Sequence, residues 1–255
     1  MTDSPEFYLV ATVAILIVGI SKGGFGGGLG TMGVPLLALV ISPVQAAAIL
    51  LPILCTMDLI GLWKYWRQWD VPTLAICIPG SFIGMVVATF TFSLLDPNAI
   101  RLLIGGITVV FTLDYWFRPK QVGSAPPGRN SGYFWSSISG FTSFVAHAGS
   151  PPLSVYLLPQ RLEKTTYVAT TVVFFIFVNY VKLVPYAALG LFPEVNLMTS
   201  LFLLPLAPIG TLLGIWMHHR VSEVWFYRIC YVLLFITGLK LVWDGAWGVW
   251  EGGLT

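Results

Sequence analysis

Lys22 lies in an otherwise apolar N-terminal stretch, within the small-residue run Ser21-Lys22-Gly23-Gly24-Phe25-Gly26-Gly27-Gly28. A second interruption of similar character, Ala146-His147-Ala148-Gly149-Ser150-Pro151-Pro152, occurs later in the chain. Non-helical backbone survives at membrane depth only where protein or a water-filled cavity satisfies its polar groups. Two such breaks in matching positions point to the substrate site of a secondary transporter. Each break starts a new half-helix, one near Leu29 and one near Ser150. Their unpaired N–H groups and partial positive charge favour an anion. Gly23, Gly24, Gly26, Gly27, Gly28 and Gly149 let the main chain approach a ligand closely, with tight helix packing as the alternative role.

Ionisable residues inside the apolar runs are few, and burying each costs at least about 2.5–3.5 kcal/mol on insertion scales. Lys22 is placed to pair with an anion or to neutralise Asp58, the one carboxylate well inside a span. Asp58 either holds Lys22 or accepts a proton during transport. Lys182 lies one turn beyond Asn179, so the two share a helix face. It either contacts the ligand or snorkels to the outer interface. His147 can donate to an oxyanion, carry a proton or pack as a plain imidazole. Ser21, Thr31, Ser150 and Asn179 supply uncharged donors, and Cys55, one turn before Asp58, reads as a core thiol beside the same cavity.

Other chemistry is thinly represented. No P-loop Lys-Ser/Thr follows the glycines, which excludes a nucleotide cradle. Three scattered histidines and no paired cysteine spacing give no metal site, and no cofactor is expected. His147 and Ser150 have no acid partner for a nucleophilic triad, so the chain does not read as an enzyme.

The elements that must position these residues follow from composition. The chain has 255 residues, 24 of them charged, a net charge of +2, and a mean hydropathy of +0.84. That balance places it in the bilayer and offers nothing to nucleic acid. A helical span needs about 20 mostly apolar residues, and runs of that kind cover 44–63, 71–93, 98–117, 165–190, 196–217 and 223–243. They are too long for barrel strands, so the fold class is an all-α integral membrane protein. Ten tryptophans fall near the ends of these runs, as expected of interfacial belt residues. Cys55, Cys77 and Cys230 lie within apolar runs and read as core residues, not disulfides.

The chain also matches itself. A shift of 121 residues lays Gly19-Ile20-Ser21 on Gly140-Phe141-Thr142, Gly28 on Gly149, Asp58 on Asn179 and Tyr65 on Tyr186. A shift of 126 lays Pro79-x-x-x-x-Gly84 on Pro205-x-x-x-x-Gly210. Two homologous halves result, 1–117 and 133–255, joined by a linker at 118–132. Each opens with a broken stretch, 7–41 or 133–158, and the two pieces of the first, about 15 and 13 residues, are too short to cross a 30 Å core. They read as re-entrant hairpins, each followed by three spans, and that odd number inverts the second half. One face then gathers Lys64, Arg67, Arg118, Lys120, Arg129, Arg161, Lys164, Arg220 and Arg228, while the other keeps Arg101 and Lys240. The positive-inside rule puts the linker in the cytoplasm and both termini outside.

The run Gly19 to Gly30, followed by Pro35, resembles the opening motif of the sulfite exporter TauE/SafE family of permeases. The echo at Ala148-Gly149-Ser150-Pro151-Pro152, the chain length and the duplicated spans are similar to that family, although the second break is poorer in glycine. The resemblance implies a bacterial inner-membrane permease for sulfite, sulfonates such as sulfoacetate, and related anions. Expected partners are therefore a small anion and the lipid bilayer, with a homo-oligomer open. Export of an anion from an inside-negative cell releases about 2.3 kcal/mol per charge per 100 mV, so an exporter needs no coupling ion. An anion channel and, more remotely, an intramembrane enzyme using His147 and Ser150 are the alternatives.

Overall fold

A computed structural model describes residues 4–26, 30–92, 94, 97–117, 127–217, 220 and 223–252. Among these residues the chain is helical throughout, without strands. The first broken stretch gives α1 (Pro5–Gly24), a 3-10 turn at Gly30–Met32 and a short α2 (Gly33–Leu37). Then come α3 (Pro43–Lys64), α4 (Val71–Phe92) and α5 (Pro97–Phe117). The second broken stretch gives α6 (Arg129–Ala146) and α7 (Ser150–Leu157), followed by α8 (Lys164–Ala188), α9 (Glu194–Leu203), α10 (Leu206–Met217) and α11 (Glu223–Gly252). By length and composition α1, α3, α4 and α8 can each cross a bilayer, and α9 with α10 makes a fifth, bent candidate. The chain is a multi-pass helical membrane protein.

Three expectations need correction. The first arm of the opening stretch is not a 15-residue piece: α1 runs for 20 residues, about 30 Å, through Ser21, Lys22, Gly23 and Gly24. Shortness therefore does not by itself forbid α1 from crossing. The second break is narrower than 146–152, because helix resumes at Ser150 and only His147–Gly149 separate α6 from α7. The run at 196–217 is not one straight span, since α9 and α10 meet at a 42° bend around Leu204 and Pro205. Proline lacks the N–H that would continue the ladder and crowds the preceding turn. Pro52, Pro79 and Pro185, by contrast, are accommodated inside α3, α4 and α8.

Small residues decide which helices touch. Gly19, Gly23 and Gly24 of α1 abut Gly210, Thr211 and Gly214 of α10, and an added Cβ at Gly23 would fall 2.1 Å from the Thr211 carbonyl oxygen. The two helices run parallel, Leu16 lying by Gly210 and Ile20 by Gly214. On α4, Gly80 lies by Tyr133 and Ser136 of α6, and Gly84 by Ser137, again in parallel. α5 and α11 pair antiparallel, with Gly105 against Gly238 and Val242, and Gly245 against Asn98 and Leu102. α3 and α8 also run antiparallel: Asp58 meets Asn179, Gly61 meets Val172, and Tyr65 packs with Val168 and Ala169. Without a hydrophobic drive between helices in lipid, such backbone approach is the main source of association.

Apolar side chains cover the outside. Trp63, Trp66, Trp116, Trp216, Trp243, Trp247 and Trp250 are exposed, which fits a lipid-interface belt. Cys55 and Cys77 are free, buried thiols, as expected, while the side chain of Cys230 lies outside the described residues. Gly23→Ala should push α1 and α10 apart and lower stability by about 1–3 kcal/mol. Gly106→Ala, where a Cβ meets nothing within 4 Å, should be neutral or stabilising by up to about 1 kcal/mol. Thermal unfolding in detergent checks the pair, and equal effects would contradict this packing.

Candidate functional site

The polar residues of the sequence reading converge where α1 and α6 end against α3 and α8. Asp58 and Asn179 each stand fifteen residues past the first residue of their helix, about 22 Å along α3 and α8. Those helices therefore extend well beyond the cluster in opposite directions. Lys22, two residues before the end of α1, places its Nζ 2.6 Å from Asp58 Oδ1. The ammonium also stands 5.3 Å from the centre of the Phe175 ring, within cation–π range. Asn179 Nδ2 donates to Asp58 Oδ2 at 2.6 Å. The Asp58 carboxylate is wholly buried, and each of its oxygens meets one partner; the Lys22 contact is an ion pair by proximity and not an aligned hydrogen bond. Of the two roles open to Asp58, the structure displays the pairing with Lys22.

Lys182 does not snorkel. Its side chain is fully buried, and Nζ donates to Ser143 O at 3.0 Å, Ser143 Oγ at 3.1 Å and His147 Nδ1 at 2.8 Å. His147 Nε2 lies 2.9 Å from the Ala47 carbonyl oxygen. A carbonyl only accepts, so Nε2 bears the ring proton and Nδ1 offers its lone pair to the lysine. Both ring nitrogens are thus engaged within the protein. Neither serves Ser150 as a base, and neither is free here to donate to a bound oxyanion. The left-handed backbone at His147 (φ 52°) ends α6 and aims the imidazole at α3 and α8.

The second break is held by α6 itself. Thr142 Oγ1 donates to the Ala148 carbonyl at 2.9 Å and Ser139 Oγ to the Gly149 carbonyl at 2.6 Å. These bonds satisfy peptide groups that lipid would leave bare. The half-helix beyond, α7, supplies fewer N–H groups than expected of a helix start. Pro151 and Pro152 have none, and the Leu153 N–H bonds to the Gly149 carbonyl. The first half-helix, α2, is only five residues long. Among the described residues, positive character here comes chiefly from the two ammonium groups.

A small cavity of about 20 Å³, room for roughly one water, lies between the breaks. Its polar wall is Lys22, Ser143, His147, Ser150 and Asn179; Gly30, Leu54 and Phe175 complete it. Four residues of the sequence reading thus reach the cavity. Asp58 and Lys182 stand behind it, holding Lys22 and His147. Ser21 and Thr31 are buried near it without lining it. Gly23 and Gly24 face α10, Gly149 abuts Ser139, and Gly26 (φ +67°) abuts the Tyr167 ring. These four serve close packing and turning. Gly27, Gly28 and Leu29 lie outside the described residues. Ser143, Phe175, Leu54 and Gly30 were missed. Phe175 and Leu54 sit one helical turn before Asn179 and Asp58, so the shared-face rule identifies both.

A multi-pass helical protein with a buried, lysine-rich polar centre between two helix breaks has the layout of a membrane transporter. Residues 11–241 match the family model described as "Sulfite exporter TauE/SafE", and the chain belongs to that family. Membership makes it a membrane transporter of the sulfite-exporter class, in agreement with the motif at Gly19 to Gly30. No curated protein and no solved structure matched the chain.

Lys22→Met alone strands the Asp58 carboxylate and should destabilise the fold by about 3–5 kcal/mol. Adding Asp58→Asn should recover most of that loss, so unfolding of the two single variants and the double variant reads the coupling. Simple additivity would show that the pair contributes nothing as a pair.

Proposed function

We propose that the protein is a secondary transporter that exports small sulfur-containing anions, such as sulfite, sulfonates or sulfoacetate, across the bacterial inner membrane. The observation that carries this reading is the cavity between the helix breaks, faced by Lys22 and backed by Lys182. Family membership supplies the substrate class, and the lysines supply the attraction for negative charge. The cavity is too small for a sulfur oxyanion in this conformation, so binding requires the walls to part. A centre this narrow suits alternating access better than an open pore.

The mechanism we favour moves two inverted repeats, 1–117 and 133–255, against each other around that centre. Support comes from hydrogen bonds that recur at the same offset as the sequence match. Tyr65 OH donates to Gly23 O at 2.7 Å and Tyr186 OH to Phe144 O at 2.6 Å; donors and acceptors alike are 121 residues apart. Likewise Gly84 lies against the Ser137 carbonyl and Gly210 against that of Leu16. The pairing senses agree with inversion: helices related to each other (α3 with α8, α5 with α11) run antiparallel, while the cross-pairs α1 with α10 and α4 with α6 run parallel. The same reading sets the termini outside and the 118–132 linker in the cytoplasm, from the distribution of Lys and Arg. Asp58, the carboxylate of the cluster, is already committed to Lys22 and Asn179, which agrees with export driven by the membrane potential.

Purified protein in liposomes should move sulfite or a sulfonate down an imposed potential, at rates no higher than about 10³ per second. Lys22→Ala should slow that flux by about tenfold or more, a loss of roughly 1.4 kcal/mol in anion stabilisation, in vesicles where folded protein is verified. Undiminished flux would remove Lys22 from the site, and single-channel currents would replace the carrier with a channel.

A further inference from the structure

The buried cluster carries a charge that its own side chains do not balance. Lys22 and Asp58 form one neutral pair. Lys182 directs its ammonium to three acceptors, and all are uncharged: a carbonyl, a hydroxyl and the lone pair of a neutral imidazole. Those acceptors match the three N–H bonds of a protonated lysine. Two cations and one carboxylate therefore share the centre, and His147 adds no charge because Nε2–H points to a carbonyl while Nδ1 accepts. The unmatched positive charge sits among helices whose outer faces are apolar, where a lone charge is strongly disfavoured.

Accepting that this cavity binds the transported anion, we propose that the site selects substrates by charge state and takes a single monoanion. One negative charge brings the cluster to neutrality. A dianion such as sulfate, or fully ionised sulfite, leaves it negative and is rejected in favour of hydrogensulfite or an organic sulfonate. The wall fits that chemistry. Lys22, Ser143 and Asn179 offer donors for the charged oxygens, and Leu54 and Phe175 add apolar wall that suits the carbon of a sulfonate. Asp58 is then a specificity residue: it cancels Lys22 and leaves one excess charge where two would stand.

The test measures binding and flux of two probes whose charges do not change with pH, ethanesulfonate and ethane-1,2-disulfonate, with sulfate as a second dianion. Wild-type protein in liposomes should prefer the monosulfonate by tenfold or more. Asp58→Asn, which raises the excess to two charges, should shift the preference toward the disulfonate. Lys182→Met, which removes the excess, should lower affinity for the monosulfonate at least tenfold and leave no preference between the probes. Equal handling of mono- and dianions by wild-type protein overturns the proposal while leaving an anion transporter in place. So does an unchanged preference in folded Asp58→Asn, or, where that variant does not fold, undiminished monosulfonate affinity in Lys182→Met. Failure of wild-type protein to bind or move any of the three anions refutes the anion-transport reading and this inference with it.

Discussion

A charge in the apolar interior must be matched, and that requirement organises the centre of this protein. Lys22 comes from α1, Asp58 from α3, and Asn179 and Lys182 from α8, while Ser143 and His147 come from the end of α6. Each charged or polar group has its partner on a different helix. Removing one member leaves a buried charge or a bare hydrogen-bonding group, so the cluster fixes the mutual positions of four helices. The same cost makes the cluster sensitive to ligand: a group held by charge balance responds to an anion that changes the balance.

Close backbone packing makes the convergence possible. α1 ends beside α3 and α8 because Gly19, Gly23 and Gly24 let it lie against α10. α6 reaches the same region through its contact with α4 at Gly80 and Gly84. The tyrosine hydroxyls of Tyr65 and Tyr186 tie the last turns of α1 and α6 to α3 and α8. Glycines that in sequence looked like a ligand cradle thus act largely one step away, by setting where the lysine-bearing helix end can sit. The division of labour is physical: glycine brings main chains together, and lysine supplies the field that a short or proline-rich half-helix does not.

Much of this was legible in the residues. Apolar run length placed α3, α4, α5 and α8 within a few residues, while α11 runs nine residues past the end of its apolar run at 243, and scarcity of charge singled out Lys22, Asp58, His147 and Lys182 before any geometry. The pairing of Lys22 with Asp58 was one of the two roles open to each, given the expense of leaving either alone. Other features were hidden because they depend on tertiary contact. Nothing local distinguishes Pro205, which bends a span, from Pro79, which does not. Nor does the sequence around Lys182 separate a snorkelling lysine from one enclosed by Ser143 and His147, since both have the same helical position. Ser143 was passed over as one of several serines on α6, and α1 was cut short because its glycines were read as a break when they continue the helix. The lack of N–H groups at Pro151 and Pro152 was visible in the sequence and was underweighted.

The most direct test is a structure determined with a bromine-labelled sulfonate, such as 2-bromoethanesulfonate, located by its anomalous signal. The account predicts bromine density beside Leu54 and Phe175, with the sulfonate against Lys22 and Asn179 between the ends of α1 and α6. Bromine found instead only at the peripheral hollow formed by Asp70, Arg129, Tyr133 and Tyr156, with the Lys22 cavity undisturbed, would contradict it.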